Sequence, residues 1–259
     1  MICLGIREDS RPETNPAQID RAASLLAEAV AEEQAEPRGR LPSAGVRIRR
    51  AVAGDRDAIY DVCLRTGDAG GDASGLYLEP DLLGDVWAGP YLLLRPHLAF
   101  VAEDGAGVTG YVVGAEDTAA FESACEVHWW PARRARYPDP PDDRQLTPDE
   151  LLHRHVHHPP SPPPEVLAEF PAHLHVNLLP RAQGHGAGRQ LLETLFDALA
   201  DASGIHLGVA AANHRAAAFY LHLGFVPVGP PRGPGEGWLL GRRLAGWTGV
   251  DGERMELPD

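Results

Sequence analysis

The stretch "LLPRAQGHGAGRQLL", residues 178–192, constrains this chain more than any other. A proline closes an apolar run, glycines follow at 184, 186 and 188, and an amphipathic run begins at once. Glycines adopt backbone angles that other residues avoid. A helix starting directly behind them turns its free N–H groups and positive end toward the turn. That is an anion seat, and spacing separates three kinds. A P-loop needs lysine and then Ser or Thr after its last glycine, whereas Arg189 and Gln190 stand there. A dinucleotide fingerprint counted from Gly184 needs its third, packing glycine at the position of Arg189. The third pattern, Gln/Arg-x-x-Gly-x-Gly/Ala, is met in full by Gln183 to Gly188.

Around this stretch, strands and helices alternate. "VRIRRAV" alternates as a strand, and "GDRDAIYDVCLRTG" places Ile59, Val62 and Cys63 on one helical face. "HLAFVAEDGAGVTGYVVGAE" predicts a β-hairpin turning at Asp104 to Gly107. "AHLHVNLL" predicts the strand before the glycines, and the helix behind them carries Leu191, Leu192, Leu195, Phe196 and Leu199 on one side, stopping at Gly204. "IHLGVAA", "NHRAAAFYLHLG", "FVPVG" and "GWLLGRRL" then read as strand, helix, strand and strand. Together they predict a mixed α/β sheet.

The texture changes between Asp117 and Pro171, which hold eleven of the 24 prolines, Trp129, Trp130 and "HRHVHH". Thr147, Pro148 and Glu150 make a helix start with a capping box. The segment reads as a partly helical insertion laid over one end of the domain, its two tryptophans packing it. His153 and His157 have one-face helical spacing for a metal but no third ligand at firm spacing, so no metal is expected. Residues 1–44 read as a helical appendage and linker: Asn15 caps a helix with Ile19, Ala22, Leu26 and Val30 on one stripe, and "PRGRLPSAG" follows. The main domain is expected over 45–244, its insertion over about 117–171, and a tail over 245–259.

The charge is acidic, 37 carboxylates against 23 cations, all of them arginine. That excludes the usual nucleic-acid footprint and suits a cationic acceptor. The chain offers no lysine for self-modification. Cys3, Cys63 and Cys125 form neither a disulfide framework nor a metal pattern, and no run approaches the length of a membrane span. A cytoplasmic protein, monomer or homodimer, with no membrane partner, is expected.

Gln183–Gly188, preceded by Pro180 and followed by "NHRAAAFYLHLGF" with Asn213, Tyr220, Gly224 and Phe225, resembles the GCN5-related N-acetyltransferase (GNAT) family. The resemblance covers roughly Val46 to Leu244 apart from the insertion. It implies a GNAT-type mixed, mostly antiparallel twisted sheet flanked by helices, with the Pro/His/Trp-rich insertion before the coenzyme A-binding strand. More narrowly, "CLRTGDAGGDASGLYLEPDLLGDVWAGPYL" and "EFPAHLHVNLLPRAQGHG" are similar to the acetyltransferase-like domain of animal protein O-GlcNAcases and its bacterial relatives. The animal domain has a degraded glycine loop; this sequence keeps its own. No glycosidase domain is expected within this length.

The resemblance implies acetyl-CoA as cosubstrate and an N-acetyltransferase acting by direct amine attack in a ternary complex. Backbone N–H groups of Gln183, Gly184, His185, Gly186, Ala187, Gly188 and Arg189 would close around the pyrophosphate. A strand-end N–H of Leu178 or Leu179 would polarise the thioester carbonyl. By motif position Tyr220 is the proton donor to the leaving thiolate, and Asn213 contacts the pantetheine arm or caps its helix. His173 and His175 are the candidate bases. Arylalkylamine acetyltransferases pair histidines on this strand too, although here the pair falls one residue out of register with the glycine loop. Asp68 and Asp72 are candidate grips for a cationic amine, or turn residues. The acceptor is an unidentified amine, on a small molecule or a basic peptide. The alternative is a non-catalytic domain that binds acyl-CoA or a protein partner.

Overall fold

The computed structural model describes residues 45–229 and 237–244. The appendage expected over 1–44 and the tail over 245–259 lie outside the described residues. In chain order the elements are β1 (Arg47–Arg50), α1 (Arg56–Leu64), α2 (Leu82–Trp87), α3 (Gly89–Leu94), β2 (Ala99–Asp104) and β3 (Gly107–Ala115). Next come α4 (Thr118–His128), α5 (Trp130–Arg136), α6 (Pro148–His157), α7 (Pro164–Glu169) and β4 (Ala172–Leu178). The chain continues with α8 (Ala187–Ala198), β5 (Gly204–Val209), α9 (His214–His222), β6 (Val226–Pro227) and β7 (Trp238–Arg243).

Seven strands form one sheet in the order β1-β2-β3-β4-β5-β7-β6. Every described neighbouring pair is antiparallel except β4 with β5. This is the mixed, mostly antiparallel sheet that the resemblance implied. The hairpin turns where expected, with Asp104 opposite Gly107.

Strand alternation divides the core in two. On one face Val101, Tyr111 and Val113 meet α1, α2 and the insertion in a cluster that includes Ile59, Leu83 and Trp129. On the other, Val112, Leu174 and Val176 meet Leu191, Leu192, Leu195 and Phe196 of α8. Burial of those four α8 side chains, roughly 2–3 kcal/mol each, fixes the start of α8 against the sheet. The helix does not run to Gly204 as its sequence suggested: it ends at Ala198. Gly204 opens β5, where a Cβ would stand 2.8 Å from the Glu169 carbonyl oxygen.

The insertion is more helical than its proline content implied, because three of its eleven prolines sit at helix starts and the others fall outside helices. Pro131, Pro148 and Pro164 each occupy a first-turn position, where a missing N–H costs no intrahelical bond. The capping box at α6 forms as expected, Thr147 Oγ1 accepting from Glu150 N and Glu150 Oε2 from Thr147 N. Trp129 and Trp130 are buried and join the insertion to the domain core.

One carboxylate bolts these parts together. Asp85 on α2 is buried and accepts from Tyr60 of α1 and from Tyr137 after α5, each at 2.9 Å. Arg133 lies 3.4 Å from it, and Trp129 Nε1 donates to the Asp85 carbonyl oxygen. Asp85→Ala leaves two buried hydroxyls without an acceptor. We expect a loss of about 3 kcal/mol and a Tm fall of roughly 6–12 °C in thermal unfolding.

Candidate functional site

The site begins where two neighbouring strands part. β4 and β5 pair only at Ala172↔Ile205 and His173↔His206, yet β4 runs on to Leu178 and β5 to Val209. Beyond His173 a wedge opens between them, and a cleft of about 900 Å³ fills it. Leu178 and Asn177 form one wall, α9 the other, and the glycine turn the mouth.

Register fixes which strand groups face the wedge. Leu179 N donates to Thr109 O across β3 at 2.8 Å. Hydrogen-bonding direction alternates along a strand, so the N–H and carbonyl of Leu178 point the other way, toward β5. Gln183 Nε2 donates to that carbonyl at 2.7 Å, tying the strand end to the turn. Of the two amides expected at this point, Leu179 is therefore committed to the sheet, and Leu178 is the one directed into the cleft.

The three glycines do different work. Gly184 and Gly186 have φ of +81° and +84°, and a Cβ on either would meet no heavy atom nearer than Gln190 Nε2 at 3.9 Å. Their requirement is backbone conformation beside open space. Gly186 is the N-cap of α8, and Gln190 N is bonded to Gly186 O. The N–H groups of Ala187, Gly188 and Arg189 precede the first such bond and cluster at the positive end of the helix. Gly188 instead serves packing, since its Cβ would lie 3.3 Å from Phe219 Cζ of α9. Arg189 is exposed at the cleft and pairs with Glu193 at 2.8 Å. His185 is half-buried and its side chain does not line the cleft.

Opposite, Tyr220 of α9 is 2 % exposed, and burial pushes its phenol above the ordinary value. The hydroxyl has no hydrogen-bond partner among the described residues, and the residue lines the cleft. Asn213 Oδ1 caps α9 by accepting from Ala216 N at 3.1 Å, the capping role of the two considered for it. Its amide nitrogen faces Gly70, where a Cβ would come within 3.2 Å. Gly70 and Ala69 are the tip of a tight turn in which Asp68 and Gly71 exchange N–H···O bonds of 3.0 and 2.6 Å. Ala69, at φ +47°, is the one non-glycine with positive φ among the described residues. This turn reaches from the end of α1 across the cleft to the start of α9.

These observations meet the comparisons with known proteins. An acetyltransferase (GNAT) domain model matches residues 165–227, from α7 to β6. The crystal structure of SsHAT is 40% identical and superposes with a TM-score of 0.70, covering 79% of this chain and 100% of that one. The chain belongs to the GNAT acetyltransferase family. Protein O-GlcNAcase of Rattus norvegicus is 29% identical over 203 residues, which are 76% of this chain and 22% of the relative. That of Mus musculus is 28% identical over 201 residues. The chain thus spans about a fifth of the length of these curated relatives.

Within this GNAT domain, His173 and His175 point from β4 to the α1–α3 face. Thr118 Oγ1 donates its one proton to Pro171 O at 2.7 Å, so at 2.8 Å it accepts from His173 Nδ1–H. His173 Nε2 then accepts from the Tyr91 hydroxyl at 2.7 Å. Both ring nitrogens are committed, and Tyr91 is itself stacked on Phe121 of the insertion. His175 is half-buried, its Nδ1 buried without a partner among the described residues, and burial lowers its pKa from 6.5 to about 3. Asp72 is turned to its own loop, accepting from Ser74 N and Oγ at 2.9 and 2.6 Å. Asp68 is exposed, and neither carboxylate lines the cleft. Both behave as turn residues. His153 and His157 do not converge: His153 stacks on Tyr137, and His157 Nε2 is bonded to Tyr137 O.

Two side chains of the cleft wall were missed in the sequence, Thr66 and Asn177. Asn177 Nδ2 donates to Thr66 Oγ1, which donates to Val62 O, tying the end of α1 to β4. Strand alternation was the available signal, since Asn177 is two residues beyond His175 and shares its face.

His155 of α6, half-buried like His175, has its pKa lowered by burial to about 4. Between pH 6.5 and these values only the unfolded chain takes up the two protons. Stability is therefore full above 6.5 and falls as pH drops toward 4. In urea unfolding from pH 7 to 4.5, His155→Gln and His175→Gln should each flatten the slope by up to about 1.4 kcal/mol per pH unit.

Proposed function

We propose that this GNAT domain transfers an acetyl group from acetyl-CoA to an amine. The observation that carries the reading is the parted β4–β5 pair, with an anion seat at one end and the Leu178 N–H directed inside. The first-turn amides of α8 and the open space at Gly184 and Gly186 fit a pyrophosphate. The cleft between β4 and α9 fits an extended pantetheine arm, with Asn213 Nδ2 on its path.

In the reaction the amine nitrogen forms a bond to the thioester carbonyl carbon, and the carbon–sulfur bond then breaks. The Leu178 N–H donates to the oxygen as it gains charge. One proton leaves nitrogen and one arrives at sulfur, so an amine that enters neutral needs no external base. This route is favoured by the site, because an imidazole with a pKa of about 3 is a very weak base at pH 7. The burial that keeps His155 and His175 neutral also favours a neutral amine. Tyr220 is protonated at any working pH and donates a hydrogen bond to the departing thiolate. Because its phenol is a weaker acid than a thiol of pKa about 8.5, the proton that finally reaches sulfur originates on the amine.

The non-catalytic alternative draws on one observation, that neither β4 histidine is a ready base. A turnover assay separates the two: protein, acetyl-CoA and a panel of amines, with free CoA measured. Gly186→Asp suits the positive φ but sets a carboxylate in the anion seat. It should weaken acetyl-CoA binding about 100-fold, with Gly186→Asn as the uncharged control. Tyr220→Phe should lower kcat roughly 10–100-fold with binding kept. For an alkylamine, kcat/KM should rise about tenfold per pH unit between pH 6 and 9, with no inflection near 6.5. Coenzyme binding without release of CoA across the whole panel would establish the non-catalytic reading.

A further inference from the structure

Behind the cleft wall, one pleat of β4 from Asn177, two buried polar atoms lack partners beside one another. They are Nε1 of Trp87, at the end of α2, and Nδ1 of His175, neither of which has a partner among the described residues. Their rings meet edge-on with centroids 5.2 Å apart, and His155 of the insertion lies against the same indole at 4.7 Å. Orphaned buried donors and acceptors are rare in folded proteins, and two in contact ask for a ligand that serves both. Enough protein surrounds the two imidazoles to hold them neutral, yet both keep solvent-accessible surface.

We infer that the cluster of Trp87, His155 and His175 seats the amine-bearing end of the acceptor, and that the acceptor is an α-amino carbonyl compound such as a peptide N-terminus or an amino-acid amide. The inference rests on the acetyltransferase reading and names its substrate class. The indole N–H is a donor only, so its partner must be an oxygen acceptor. The neutral imidazole accepts at Nδ1, so its partner must be a donor, which a neutral amine supplies. An α-amino group with its adjacent carbonyl presents both a donor and an acceptor, one for each ring of the contacting pair. A lysine ε-amine has no oxygen near its nitrogen. Its pKa of about 10.4, against about 7.7–8.0 for an α-amino group, also makes it far harder to bring in neutral. His155, packed against the Trp87 indole, makes the insertion part of the acceptor site.

The test is binding to protein saturated with CoA, followed by NMR with three probes: glycylglycine amide, propylamine, and Nα-acetyl-lysine amide. The amide should bind at least about tenfold more tightly than either amine lacking a neighbouring oxygen. Trp87→Phe, which keeps a ring but removes the N–H, should weaken the amide about tenfold and leave propylamine unchanged. Equal affinities for all three probes, preference for the lysine derivative, or no binding of the amide would each overturn the inference. The probe comparison on the unaltered protein stands even if Trp87→Phe fails to fold. Acetyl-CoA binding, titrated separately, tells failure of this inference from failure of the acetyltransferase reading.

Discussion

Everything at the site depends on β4 and β5 ceasing to pair after His173. A parallel pair that continued to Leu178 would satisfy its own N–H and carbonyl groups and leave no room between the strands. Parting exposes the wedge-facing groups of β4, and the chain uses them. Gln183 takes the Leu178 carbonyl, and the Leu178 amide is left facing the cleft. Two cores hold the wedge open from opposite sides. Buried leucines of α8 hold the glycine turn at the mouth, while α1 is tied to the other wall through Thr66 and Asn177. The cleft is thus a rigid consequence of packing on both faces of one sheet.

Much of this was legible in the sequence because local chemistry decides it. Glycine spacing, the cap at Thr147 and alternation in "AHLHVNLL" each fix geometry within a few residues. Gly184 and Gly186 take the left-handed conformations that their pattern demanded, while Gly188 answers to Phe219, some thirty positions away in the chain. Side-chain surroundings were less legible. His173 looked like a base because an alternating strand does not reveal that Thr118 and Tyr91 occupy its nitrogens. Asp68 and Asp72 looked like a cationic grip because a glycine-rich turn and an acidic binding loop have the same composition. Tertiary partners decided both, and no window of sequence contains them.

The insertion shows the same limit from the other direction. Its prolines and histidines suggested a partly helical cover, yet three prolines start helices, and Trp129 and Tyr137 tie the insertion to Asp85 in the core. Its histidines divide by environment. His153 and His157 pack around Tyr137, whereas His155 meets Trp87 beside β4. A segment that breaks the regular strand–helix order thereby becomes one wall of the face on which an acceptor would lie.

The central claim is that the parted strands receive acetyl-CoA, with the glycine turn on its phosphates and Leu178 at its thioester. Amide NMR during an acetyl-CoA titration reads each part separately. The account predicts that the N–H resonances of Ala187, Gly188 and Arg189 shift with either acetyl-CoA or CoA. The Leu178 N–H should shift downfield with acetyl-CoA and much less with CoA, which lacks the carbonyl. A Leu178 resonance that stays still while the glycine-turn amides move would contradict the placement of the thioester. Stillness of both would contradict the account as a whole.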